Sequence, residues 1–145
     1  MLKPFALALT LAAAPLAAQQ AVEMTEVDVE LVLAVDVSRS MSPYELEIQR
    51  RGYAAALSSQ AVMDAIGGGM IGRIALTYVE WAGQSSQTVI IPWTLIDTRE
   101  AADEVAATLT AVFNGGMRRT SIAEALIYAA DSFDTNRFTG LRQVI

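Results

Sequence analysis

Cysteine and histidine are both absent from the 145 residues, and lysine occurs once, as Lys3. The first absence excludes disulfides, thiolate metal sites and thiol redox chemistry, so stability must come from core burial. The second removes the commonest general base and the commonest transition-metal ligand, so any metal here is held by oxygen. Cationic residues are scarce as well: ten Lys and Arg stand against 16 Asp and Glu, for a formal charge of -6. Phosphate backbones are bound by clustered basic residues in excess, so nucleic acid is not an expected partner. What the chain does have is 53% hydrophobic and only 18% charged residues, the composition of one packed domain.

Residues 1–18 read as a secretory signal peptide. Lys3 precedes an apolar run from Phe5 to Leu16, and small residues Ala17 and Ala18 follow. The run is short for a bilayer and is interrupted by Pro15, and no later stretch is long and apolar enough to span one, so no membrane span is expected after cleavage. The expected location is periplasmic or secreted. Loss of Lys3 leaves nine Arg against 16 acidic residues, a formal charge of -7. Residues 19–28 are polar and irregular and read as a linker, which leaves 29–145 as the domain.

The row Val29 to Val35 is almost continuously apolar, the pattern of a central parallel strand covered on both faces. Ser42, Pro43 and Glu45 open a helix with a capping box, and a stripe of Ile48, Gly52, Ala55, Ser59, Val62 and Ile66 predicts its buried face as far as the glycines at 67–69. Residues 73–81 and 88–93 are rich in β-branched and aromatic side chains and pair as a hairpin. Asp97 and Glu100 open a second helix in capping-box spacing, with Ala101, Val105, Leu109 and Val112 on one face. Ser121 and Glu124 open a third, burying Ile122, Ala125, Leu126, Ala129 and Phe133, and the last four residues begin a strand. This order predicts an α/β fold, a Rossmann-like open sheet that is mostly parallel with one antiparallel edge strand and has helices on both faces.

Ligands of open α/β sheets collect at the carboxyl ends of the strands, where Asp36 lies. Asp36, Ser38 and Ser40 alternate, so in a partly extended chain one carboxylate and two hydroxyls point the same way. Hard divalent cations take such oxygen donors, and Mg²⁺ keeps several waters besides. Read by spacing alone, D-x-S-x-S is equally a polar turn.

The strand followed by Asp36-Val37-Ser38-Arg39-Ser40-Met41 resembles the first metal-site loop of the von Willebrand factor type A family. Gly116-Met117-Arg118-Arg119-Thr120-Ser121, with Ala125-Leu126 after it, resembles the loop that supplies that family's metal-binding threonine, at Thr120. Tyr78-Val79-Glu80-Trp81 and Pro92-Trp93-Thr94 look like a bacterial secreted subgroup whose function is not established. The resemblance covers nearly everything after Val27. It implies a metal-ion-dependent adhesion (MIDAS) site: Ser38, Ser40 and Thr120 ligate Mg²⁺, or Mn²⁺ or Ca²⁺, and Asp36 acts through water. It also implies a metal-dependent protein-binding module, not an enzyme, whose partner offers an exposed acidic residue. The family adds a further aspartate from the loop after the next strand, and the sequence stops at Ile145, within that strand. The chain therefore reads as truncated, with an incomplete site that binds Mg²⁺ weakly and an exposed last strand.

Other readings stay open beside this one. A phosphohydrolase would use Asp36 as nucleophile, but such sites place a second aspartate where Ser38 stands, and no Lys remains after maturation to balance phosphate charge. A metal-independent scaffold of an envelope complex is the third. Glu80 is read as a strand-end or solvated charge, Trp81 and Trp93 as packing residues, and Glu45 as a cap. Arg118 and Arg119 either meet an acidic partner or belong to a solvated loop.

Overall fold

In the computed structural model the described residues are 23–111 and 116–145, so the expected signal peptide, residues 19–22 and Val112 lie outside them. The elements are β1 (Thr25–Asp36), α1 (Pro43–Leu57), α2 (Gln60–Gly67), β2 (Ile74–Trp81), β3 (Gln87–Ile96), α3 (Arg99–Ala111), α4 (Ile122–Phe133) and β4 (Phe138–Val144). The sheet order is β3-β2-β1-β4. Strand β1 runs parallel to both β2 and β4, whereas β2 and β3 pair antiparallel. This is the Rossmann-like α/β sheet with one antiparallel edge strand. β1 starts at Thr25, so residues 25–28 belong to the sheet and not to the expected linker.

Both faces of β1 are covered, which explains its continuous apolar row. Val29, Leu31, Leu33 and Val35 turn toward the larger core, formed with Leu57 of α1, Ile66 of α2, Leu76 and Tyr78 of β2, and Leu109 of α3. Val32 and Ala34 turn to the opposite side, where Val79, Trp93, Ala129 and Phe133 form a smaller core under α4. Trp93 packs on Phe133 with ring centroids 5.7 Å apart and donates its indole N–H to the Ser132 carbonyl, so its role is packing, like that of buried Trp81.

The helices depart from expectation in instructive ways. The long first helix is two. Ser59 does not join a buried stripe; its hydroxyl accepts from the Val62 amide and caps α2. In α1 the buried line is Leu46, Arg50, Ala54 and Leu57, while Ile48 is 51% exposed and Gly52 and Ala55 face outward. A charged residue occupies a core position because a carboxylate waits for it there. The cap of α3 is Thr98, not Asp97: its hydroxyl accepts from the Ala101 amide. Ser121 stands at the α4 N-cap without a side-chain cap bond, so the expected capping box does not form, and its backbone amide donates to the Ala82 carbonyl. α4 meets the sheet through Ala125 and Ala129, a line of small residues that turns Ile122 and Leu126 outward at 63% and 50% exposure.

Candidate metal centre

β1 ends at Asp36, and the Val37 amide still donates to the Trp81 carbonyl at 2.9 Å, so the loop leaves from the sheet's interior. The Ser38 amide then donates to Asp36 Oδ1 at 2.7 Å, which orients the carboxylate over its own loop. The Met41 amide closes the turn on the Ser38 carbonyl at 3.1 Å. The Ser38 and Ser40 hydroxyls stand 3.2 Å apart, with Ser38 only 4% exposed and Ser40 exposed. Their approach comes from this turn and not from an extended alternation, which corrects the geometry expected from spacing. Beyond the turn, Glu45 accepts from the Ser42 amide at 2.7 Å and donates its own amide to the Ser42 hydroxyl, the expected capping box. That amide bond holds the Glu45 carboxyl below its ordinary range, with the Ser42 hydroxyl adding to the effect.

The second loop is fastened against the first. Met117 donates its amide to the Val37 carbonyl at 2.9 Å, and Ser38 and Met117 form a parallel bridge. Ser121 donates its amide to the Ala82 carbonyl at 2.8 Å, anchoring the other end of the loop beyond β2. Close approach demands glycine at two points. A Cβ on Gly116 would stand 3.1 Å from the Val37 carbonyl oxygen, and one on Gly83 would stand 2.8 Å from Arg119 Cβ. Arg119 itself has φ of 71°, a left-handed conformation uncommon outside glycine. Thr120 is exposed within this anchored segment.

Of the four expected ligands, Asp36, Ser38 and Ser40 share one turn, and Thr120 follows three residues after the bridge from Ser38. Among the described residues no group of three or more Asp, Glu, His or Cys could hold a metal ion. A cation at this face would therefore use one carboxylate and hydroxyls, with water filling the rest, and the donor set suits a hard ion such as Mg²⁺.

The foundation of the site is a pair that periodicity hides. Arg50 Nε lies 2.6 Å from Glu80 Oε1, with the two side chains 3% and 4% exposed. Glu80 is therefore neither at a solvated face nor free. It pairs in register with Val35, directly before Asp36, so the ion pair ties α1, which follows the loop, to the strand beside the loop's origin. The sequence signal is an acidic residue inside an apolar strand, matched by an arginine in the i, i+4 line with Leu46 and Ala54.

An α/β open sheet with an oxygen-donor loop at the end of its central strand is the class that fold and site define. The chain belongs to the family described as "Protein of unknown function (DUF1194)", whose model matches residues 26–145. No curated protein matches the chain.

Proposed function

We propose that this protein is a metal-dependent protein-binding module and not an enzyme. Asp36, Ser38, Ser40 and Thr120 would hold Mg²⁺, or Mn²⁺ or Ca²⁺ in its place, and an acidic side chain of a protein partner would complete the coordination. The observation that carries this reading is the bridge from Ser38 to Met117, which brings two hydroxyl-bearing loops to the end of the central strand. Their resemblance to the two loops of the von Willebrand factor type A family adds support. Hydroxyl donors leave a cation poorly neutralised, so an incoming carboxylate gains strongly by joining it. An exported location belongs to the same proposal and rests on the sequence of residues 1–18. Among the described residues no helix is long and apolar enough to cross a membrane.

Calorimetric titration with Mg²⁺ tests the reading. With one carboxylate, the expected dissociation constant is weak, about 10⁻⁴ to 10⁻³ M. Ser38→Ala and Thr120→Ala should each abolish the measurable heat without altering the circular dichroism spectrum. Unchanged titration in both variants would remove the metal from the proposal.

A further inference from the structure

We propose that Arg39, Arg118 and Arg119 form a cationic rim that selects a partner segment carrying several acidic residues, one for the cation and the others for the guanidinium groups. All three side chains are exposed. They belong to the two loops that the Ser38–Met117 bridge joins, and Gly116 lies against the Arg39 backbone, its Cβ direction pointing within 3.7 Å of Arg39 Cα. Among the described residues none of the three makes an ion pair or a side-chain hydrogen bond. Of the other six arginines, Arg50 and Arg51 meet carboxylates and Arg73 and Arg99 meet backbone carbonyls, while Arg137 and Arg142, also exposed, belong to β4 and the turn before it and not to these loops.

Charge gives the rim its direction. The chain carries a formal charge of -6, yet these two loops hold three arginines against the single carboxylate of Asp36. Glu45, just beyond, is committed to the Ser42 amide. A local excess of positive charge on an acidic protein attracts acidic segments and speeds their encounter. It also disfavours a dication on its own. Metal and polyacidic partner should therefore bind with positive coupling, each raising the affinity of the other by the same factor.

Backbone strain is the second observation. Arg119 holds φ of 71°, where glycine would be at ease, and it sits against Gly83. An arginine kept in a conformation that costs stability suggests that its side chain is used. The inference takes its place on the molecule from the metal-binding reading above, but the two fail separately.

The test uses the full chain and two fluorescent peptides, one with six consecutive aspartates and one with a single aspartate among serines, with Mg²⁺ or with EDTA. The wild type should prefer the polyacidic peptide, and the preference should shrink with added salt. Arg39→Ala, Arg118→Ala and Arg119→Gly should each weaken its binding about threefold, as exposed charge pairs do. Arg119→Gly serves as the folding control, because it removes the charge while relieving the strained backbone and should melt no lower than wild type. Arg119→Lys should retain most of the binding. Rim variants that bind like wild type while EDTA abolishes binding would overturn the rim and leave the metal reading standing. Binding that resists EDTA but falls in the rim variants supports the rim and overturns the metal. A wild type that does not distinguish the peptides overturns the rim.

Discussion

Three carboxylates show how differently one functional group is used when its surroundings change. Asp36 orients a surface loop. Glu80 neutralises a buried guanidinium, and removing one partner of such a pair leaves the other charged and dry, which costs about 3–5 kcal/mol. Glu80→Ala should lower the unfolding free energy by about that amount, while the double change Glu80→Leu with Arg50→Met should cost less than either single change. A chemical-denaturation series on the four proteins checks the ordering. Asp28 accepts from the amides of Ile71, Gly72 and Arg73 at 2.7–3.3 Å, and these bonds, Ile71 foremost, hold its carboxyl below the ordinary range. A carboxyl depressed by folding stabilises the protein above its unfolded pKa, and that contribution is lost as pH falls through its folded value. Asp28→Asn should accordingly flatten the acid limb of the melting-temperature profile, leaving the variant and wild type closest at the lowest pH.

Among the elements, the two short loops after β1 and before α4 depend on glycine as much as on their polar residues. Gly83→Val should push Arg119 and the Arg118 carbonyl away, because the added side chain would meet them at 2.8–2.9 Å. The expected result is weaker Mg²⁺ binding with the core intact, read by calorimetry beside near-ultraviolet circular dichroism. Ser59 has the parallel role in α2, where Ser59→Ala should cost about 1 kcal/mol through loss of the cap. The strands, the hairpin and three helical stretches are legible from local pattern, whereas the break at Ser58 and Ser59 that divides the first into α1 and α2 is not. The face of α1 is not, since an arginine in its buried line breaks the apolar periodicity and draws the reading toward Ile48. The cap of α3 shows a finer limit: Asp97 and Thr98 are both good caps, and only the first helical residue, Arg99, decides between them.

For the whole molecule, the sheet order predicts where the fold is most secure. β1 lies between two parallel neighbours, and buried Glu30 fastens β4 by accepting from the Asn136 side chain and the Gly140 amide at 2.7 Å each. β4 has only one strand beside it in the described sheet, and Leu141 and Val144 are exposed. Amide exchange should therefore be slowest in β1 and β2 and fastest, among strands, in β4. Glu30→Gln should speed exchange in β4 and leave β2 unchanged.

The sequence by itself determined the class of fold, the mixed sheet, the absence of imidazole and thiol groups and the position of Asp36 at the end of a central strand. Each of these follows from local composition and period, which act over a few residues. Tertiary structure decided that the loops at 36–41 and 116–121 meet, that Ser38 and Ser40 converge through a turn, and that Arg50 and Glu80 pair beneath them. The first and last of these join residues 30 to about 80 positions apart. Local propensity does not encode them; they exist because the sheet fixes both loops at one end and because a buried charge is stable only where its counter-charge is brought to it.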